Sequence, residues 1–168
     1  GGGNNGQTRV RIGNVGAQRL AAALAHNTHL LSLNLSDCNI CYTGGVALAR
    51  CLYLPHRDGV GESRTSLRRL DVSNNRVGDV GAMEFGTALR HNRSLRELDL
   101  SSNEVHFEGA ASLLGGLSEN RRLRRLVARD IQQTLSSDEM SKLVDGIGAA
   151  VRNGSSGEGE SLEVLEMH

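Results

Sequence analysis

An eleven-residue segment near the middle of the chain, LRRLDVSNNRV at 67–77, recurs 28 residues later as LRELDLSSNEV at 95–105. The same frame lies upstream at 30–40, and its first residues return at Leu123 and at Leu162. Apolar residues at the fourth and sixth places of the segment alternate with polar residues, as in a strand that is buried on one face. Recurrence in one register predicts stacked units that share a core, because a single unit cannot bury its own leucines.

The remainder of each unit has the spacing of a helix. Counted from the last apolar residue of the segment, further apolar residues stand eight and twelve positions on, and a small residue stands at eleven. These spacings place one apolar stripe along a helix. The apolar positions are Leu20, Leu24, Leu48, Leu52, Phe85, Leu89, Leu113, Leu117, Leu143 and Ile147, and the small ones are Ala23, Cys51, Ala88, Gly116 and Gly146. We expect the small residues to let neighbouring helices lie close, and Asn27, Asn92 and Asn120 to mark helix ends.

The ninth place of the segment holds asparagine in two units, Asn75 and Asn103, and cysteine in the upstream unit, Cys38. We expect both asparagines to turn inward and to satisfy backbone groups where the chain leaves the strand. Cys38 would fill this position as a small and weakly polar residue. The spacing from Cys38 to Cys41 has no second Cys or His pair at a distance typical of zinc sites, so we expect no metal and no cofactor.

The frame L-x-x-L-x-L-x-x-[NC]-x-L, followed by G-A-x-x-L-x-x-A-L, resembles the ribonuclease-inhibitor-like class of leucine-rich repeats. Residues 81–92 and 16–27 follow the second half of that pattern closely. The class includes ribonuclease inhibitor, RanGAP, NLR immune receptors, tropomodulins and several ciliary proteins. The resemblance implies an α/β solenoid, a horseshoe segment with a parallel β-sheet on the concave side and helices on the convex side. It also implies a binding role, without naming the partner.

We interpret residues 1–168 as one leucine-rich-repeat domain of about five units, which begin near Leu30, Leu67, Leu95, Leu123 and Leu162. The fourth unit is degenerate, since no asparagine stands near Ile131. Its helix is expected to be capped by Ser137-Asp138, with Met140, Leu143 and Ile147 inside. Residues 1–12 contain only the tail of a unit, and the chain stops just inside a new strand. We therefore expect a fragment of a longer protein, uncapped at both ends.

Two units carry insertions of nine residues each, near 56–66 and 153–161. Both fall between the end of a helix and the next strand, which predicts that they lie on one rim of the solenoid. Insertions confined to one face often mark a binding face, although surface loops also tolerate variation. The charged candidates for partner contact in these rim loops are Arg57, Asp58, Glu62, Arg64, Glu158 and Glu160.

The outward positions of the strands predict three columns of side chains on the concave face. The aspartate column consists of Asn34, Asp71, Asp99, Val127 and Glu166. The mixed column consists of Ser32, Arg69, Glu97, Arg125 and Val164, and the arginine column consists of Leu31, Arg68, Arg96, Arg124 and Glu163. Such a face suits a polar protein partner with charges of both signs. The alternative is that these residues pair with one another as a solvated surface.

Charge and composition exclude several function classes. Basic and acidic residues balance at 19 each, and aromatic residues make up only 2% of the chain. Nothing therefore draws the whole chain to a membrane, and direct RNA binding through Arg121, Arg122, Arg124 and Arg125 lacks the aromatic rings on which bases stack. His26 and His91 occupy equivalent places in their units, and no nucleophile motif occurs, so we expect neither an enzyme nor a small-molecule substrate. An odd cysteine count favours reduced thiols in a cytoplasmic compartment.

Three functions remain as hypotheses. The first is a non-catalytic module that binds a protein partner on the concave face and the loop-bearing rim. The second is an architectural subunit of a large cytoskeletal, ciliary or ribonucleoprotein assembly, in which the helices and solenoid ends make the contacts. The third is a RanGAP-like GTPase activator, which a single-turnover hydrolysis assay with a Ran-type GTPase would exclude.

Overall fold

The computed structural model describes residues 11–53, 65–131, 138, 141–142, 144–148 and 162–167. Helices and strands alternate along the chain. In order they are α1 (Gly13–Leu24), β1 (Ser32–Asn34), α2 (Tyr42–Cys51), β2 (Arg69–Asp71), α3 (Gly78–His91), β3 (Glu97–Asp99), α4 (Phe107–Glu119), β4 (Arg125–Val127) and β5 (Val164–Glu166). Among these described residues, none of the helices has the length and apolar character needed to cross a bilayer.

The strands form one parallel sheet in chain order, β1 to β5. Each strand pairs with the next at the same place of the sequence frame, so that Leu33, Leu70, Leu98, Leu126 and Leu165 lie in register. Neighbouring helices pack against one another on the other side. Strands lie about 4.8 Å apart and packed helices about 8–10 Å apart, so the sheet lies on the inside of the curve. The predicted α/β leucine-rich-repeat solenoid is thereby confirmed.

The core lies between the sheet and the helices. Helix residues of the predicted apolar stripe are buried, including Leu48 and Phe85 at 0% exposure and Leu89 at 1%. Strand leucines meet them from the sheet side, with Leu70 and Leu98 each 1% exposed. A fully buried leucine contributes about 1.5–3 kcal/mol, so the repeated leucines account for much of the stability.

Small residues let the helices approach closely, as the sequence predicted. A Cβ atom added to Gly116 in α4 would lie 2.8 Å from the carbonyl carbon of Gly86 in α3, a distance that only glycine allows. Cys51 and Ala88 occupy the same place in earlier units and are buried. Ala23 is exposed, because the described part of the chain places no helix on that side of α1.

Buried asparagines satisfy the backbone where the strands end. The Asn103 Nδ2 atom donates to the carbonyl oxygens of Val72, Leu100 and Ser101 at 2.9, 3.0 and 3.1 Å, and its Oδ1 accepts from the Val77 amide at 3.1 Å. Asn75 makes the corresponding bonds one unit earlier, including one to the amide of Ile40 at 2.9 Å. The predicted inward role of both asparagines is confirmed. Cys38, in the same place, is partly buried against the core.

A second set of asparagines satisfies the backbone where the strands begin. Asn92 and Asn120 are the C-caps of α3 and α4. The Asn92 Nδ2 atom donates to the Leu52 carbonyl oxygen at 2.7 Å, and its Oδ1 accepts from the Leu95 amide at 2.7 Å. Asn120 repeats this pattern with Leu89 and Leu123. Both residues mark helix ends as predicted, whereas Asn27 lies beyond the end of α1 at Leu24 and caps the following turn.

Two helices are capped by the unit that precedes them. The helices α2 and α4 have no side-chain cap of their own. The Asn14 Oδ1 atom accepts from the amides of Cys41 at 2.8 Å and Gly44 at 3.3 Å. Asp79 Oδ1 accepts in the same way from His106 at 2.7 Å and Gly109 at 3.1 Å. The amides at these helix starts are therefore satisfied across the boundary between units.

The fourth unit and the insertions are described only in part. Residues 138, 141–142 and 144–148 are helical, Asp138 is exposed, and Ile147 packs partly buried against the core. The expectations for Ser137, Met140 and Leu143 lie outside the described residues, as does most of both insertions. Thr65, near the end of the first insertion, is buried, and its hydroxyl accepts from the Leu67 amide at 3.1 Å.

Candidate protein-binding face

The strand register brings the three columns together on the concave face. The mixed column aligns Ser32, Arg69, Glu97, Arg125 and Val164 across the five strands. The aspartate column aligns Asn34, Asp71, Asp99, Val127 and Glu166. The arginine column lies one residue before the mixed column, at the start of each strand. The face therefore presents ten of the candidate residues on one continuous sheet: Asn34, Arg68, Arg69, Asp71, Arg96, Glu97, Asp99, Arg124, Arg125 and Glu166.

Side chains of the mixed column pair across neighbouring strands. The Arg69 guanidinium donates to both carboxylate oxygens of Glu97, at 2.7 and 2.6 Å. These hydrogen bonds hold the pKa of Glu97 below its ordinary value and raise the pKa of Arg69. Arg125 of the same column donates one hydrogen bond to Glu166 of the aspartate column, at 2.9 Å. Charges of opposite sign are thus paired across the strands, and they remain accessible to solvent.

The acids of the aspartate column also shape the turns that follow the strands. The Asp71 Oδ1 atom accepts from the amide and hydroxyl of Ser73 at 2.9 and 2.7 Å, and its Oδ2 accepts from Asn34 at 3.1 Å. Asp99 Oδ1 accepts from the Ser101 amide at 2.9 Å. One oxygen of each carboxylate therefore serves the fold. In the same column Val127 is only 2% exposed, so this position does not present a side chain to a partner.

Arg129 extends the face, and the sequence frame did not single it out. Its Nε atom donates to Glu166 at 2.7 Å, and its Nη2 atom contacts the same carboxylate. Arg129 stands where the two preceding units have Ser73 and Ser101. This departure from serine is the feature by which the sequence could have identified Arg129. Glu166 is thus held between two arginines, which neutralise it on this part of the face.

The edge where the strands end carries a second feature that the sequence did not indicate. A depression of about 380 Å³ is lined mainly by residues of the turns after the strands: Arg11, Asp37, Asn39, Asn74, Asn75, Arg76, Ser102, Glu104 and Asp130. The charged side chains in this depression have partners, which are opposite charges in two cases and a hydroxyl in the third. Arg11 contacts Asp37 at 2.8 Å, Arg76 contacts Glu104 at 3.9 Å, and the Ser102 hydroxyl donates to Asp130 at 2.6 Å. These are turn positions, several with positive φ, so their polarity also serves the backbone.

The edge where the strands begin differs in charge. A depression of about 460 Å³ is lined by Leu31, Ser32, Arg68, Arg69, Arg96, Glu97 and Arg124. The Arg96 Nη1 atom contacts carbonyl oxygens of Ser94 and Arg122 at 3.4 Å. Arg124 lies 3.8 Å from Glu163.

The structure does not describe the charged candidates of the two rim loops. Arg57, Asp58, Glu62, Arg64, Glu158 and Glu160 all lie outside the described residues.

The thiol of Cys51 and the ring of His91 both contact neighbouring groups of the fold. Cys38, Cys41 and Cys51 are free thiols, and burial raises the pKa of Cys51 to about 12. A thiol with such a pKa remains protonated near neutral pH and is a poor nucleophile. The His91 ring stacks on Tyr53, with ring centres 5.8 Å apart. Within the described ranges, no group of three or more His, Cys, Asp or Glu residues is placed to hold a metal ion.

The sequence and fold match known repeat proteins. Residues 26–49, 64–86 and 91–114 match the family model described as Leucine Rich repeat. Together with the strand–helix units of the fold, this match identifies these segments as leucine-rich repeats. A search of curated protein sequences gave no match.

Solved structures show the same architecture. The structure titled "Leiomodin-1 Actin-Binding Site 2" is 14% identical with a TM-score of 0.69, over 90% of this chain and 77% of that chain. The tropomodulin C-terminal domain from Caenorhabditis elegans is 16% identical with a TM-score of 0.50, over 82% of this chain and 92% of that chain. At these identities the likeness shows the fold alone.

Proposed function

We propose that this chain is a non-catalytic protein-binding module whose partner docks on the concave face and on the rim loops of the insertions. The observation that carries the proposal is the set of charged side chains held in register across the sheet. Strand pairing fixes their Cα positions before a partner arrives, so the backbone that carries them does not have to become ordered on binding. Paired charges such as Arg69 and Glu97 can exchange their mutual contacts for contacts of both signs on a partner.

A carboxylate-directed cross-linker tests the proposal, applied to the full chain in an extract of the cells that produce it. Lysine reagents are unsuitable, since the chain contains a single lysine, Lys142. We expect peptides with Asp71, Asp99 or Glu166 to be joined to another protein. Links that arise only from Glu108 and Glu119 on the convex helices would overturn the concave-face proposal and favour the architectural hypothesis.

The architectural hypothesis stays open as a second candidate, because one of the similar structures is named for an actin-binding site. In this case the chain would act in the cytoplasm as a subunit of a cytoskeletal assembly. Co-sedimentation with filamentous actin tests it directly. Recovery of the chain in the pellet only when actin is present would support a cytoskeletal role, and retention of the chain in the supernatant when actin is present would exclude this partner.

A further inference from the structure

Six arginines cluster at the edge of the sheet where the strands begin. This arginine edge consists of Arg68, Arg93, Arg96, Arg121, Arg122 and Arg124. Backbone hydrogen bonds fix its register: the Arg96 amide donates to the Arg68 carbonyl oxygen at 2.7 Å, and the Arg124 amide donates to that of Arg96 at 2.8 Å. Adjacent strands lie about 4.8 Å apart, so three guanidinium stems start within about 10 Å. Contacts from Arg96 to the carbonyl oxygens of Arg93 and Arg122 join the preceding loops to this row.

Among the described residues, the positive charge on this edge exceeds the acidic charge beside it. Arg68, Arg93, Arg121 and Arg122 form no ion pair within these residues, and all four are exposed. Of the neighbouring acids, Glu97 is already held by Arg69 through two hydrogen bonds, and Glu163 lies 3.8 Å from Arg124. Like charges in register across strands destabilise a sheet. The four exposed arginines therefore add like charge that the described acids do not balance, in contrast to the alternating charges of the mixed column.

We propose that the arginine edge binds an extended, acidic protein segment. This inference rests on the proposed protein-binding function and names the chemistry of the partner and its place on the face. Carboxylates match guanidinium groups in the two-pronged geometry that Arg69 and Glu97 already show on this sheet. Such a segment would run across the strands, with acidic side chains over Arg68, Arg96 and Arg124.

The surroundings of the edge favour a protein segment over RNA. Among the described residues that line the depression, none is aromatic, so none offers a ring on which a base could stack. Just before β1, at one end of this edge, the chain presents two exposed aliphatic residues, Leu31 at 49% and Leu30 at 37% exposure. An apolar side chain at one end of the acidic segment would cover these leucines, which a nucleic-acid strand would leave in water.

Fluorescence anisotropy with a labelled synthetic peptide tests the inference on the full chain. The peptide alternates Asp and Ser after a Leu-Leu pair, and its control carries Asn in place of every Asp. We expect the Asp peptide to bind at least roughly tenfold more tightly than the Asn peptide and than an oligouridylate of equal length. The variant Arg68→Gln/Arg93→Gln/Arg122→Gln should lose this advantage, because it removes three guanidinium groups from the edge.

A matched variant controls for net charge. Arg19→Gln/Arg50→Gln/Arg90→Gln removes three exposed arginines from the convex helices and should bind the Asp peptide like the parent chain. Equal losses in both variants, tighter binding of the RNA, or no binding of the Asp peptide would each overturn the inference. If the peptide fails while Asp71 or Asp99 still cross-links to a protein, only the acidic-segment inference falls. If both fail, the proposed binding function falls with it.

Discussion

The two edges of the sheet are built alike on the inside and differ on the outside. Where the strands end, Asn75 and Asn103 satisfy the backbone, and where they begin, Asn92 and Asn120 do the same. Outside these asparagines, the strand-end edge carries paired charges, and the strand-start edge carries the arginine edge. Interior asparagines therefore satisfy the backbone at both edges. The exposed residues of each edge are not needed for this role and can differ between the edges.

The largest effect is expected from removing one interior asparagine at either edge. Asn103→Ala deletes four hydrogen bonds and leaves buried backbone groups without partners, each at a cost of about 1–3 kcal/mol. Partial relaxation reduces the sum, so we expect a loss of about 3 kcal/mol in the free energy of unfolding. Asn120→Ala should cost a similar amount, as measured by urea denaturation.

The comparison between the edges depends on these two losses being similar. Arg93→Ala serves as the control, since this exposed residue should change stability by less than about 0.5 kcal/mol. If Asn120→Ala lowered the free energy of unfolding as little as Arg93→Ala does, the asparagines would not stabilise the strand-start edge. The two interiors would then not be equivalent.

A second, smaller effect is expected at the strand-end edge, where a side chain of one unit caps the start of the helix in the next unit. Asp79→Ala removes the acceptor for the amides of His106 and Gly109 at the start of α4. We expect a loss of about 1 kcal/mol, the usual value of a helix cap. Asp79→Asn keeps the acceptor, as Asn14 does two units earlier, and should cost less. Equal losses in thermal unfolding would show that the negative charge matters and the cap does not.

The repeating features of this fold were readable from the sequence because each recurs at a fixed spacing. Leu70 and Leu98, or Asn75 and Asn103, identify a position through repetition alone, and the structure places them as expected. The capping of a helix by a side chain of the preceding unit was missed. The cap from Asp79 to α4 depends on how neighbouring units stack, and no pattern within one unit contains that information.

The candidate face was only partly predictable for the same reason. Alternation along a strand tells which side chains point away from the core, and so it names Arg69 and Glu97. It does not tell which of them are neutralised by a neighbour, because that depends on rotamers and on residues such as Arg129 outside the frame. Val127 follows the alternation and is nevertheless buried, since burial on this face is decided by the surrounding side chains.

The smallest effects are expected at two consecutive arginines, Arg68 and Arg69. Among the described residues, only Arg69 of these two forms an ion pair. Arg69 is held by Glu97, whereas Arg68 belongs to the arginine edge. Because exposed ion pairs contribute little, we expect Arg69→Gln to lower the melting temperature by about 1–2 °C. Arg68→Gln should leave it unchanged or raise it slightly, since it removes a like charge from the column. A loss of stability in Arg68→Gln equal to that in Arg69→Gln would contradict this difference between the two arginines.

The pH dependence of stability tests whether Arg69 and Glu97 act as an ion pair or only pack against each other. Hydrogen bonds from Arg69 lower the pKa of Glu97 in the folded state below its ordinary value of 4.5. A carboxyl group with a depressed folded pKa contributes stability that is present above its unfolded pKa and is lost as the pH falls through the folded value. The difference in stability between the parent chain and Arg69→Gln should therefore be constant at neutral pH and shrink below about pH 4.5. The difference between the parent chain and Arg68→Gln should show no such decline, and thermal unfolding across this range measures both. A difference for Arg69→Gln that persists unchanged in acid would mean that the guanidinium stabilises the sheet by covering apolar surface, and the mixed column would then lose its role as the charged, exchangeable part of the face.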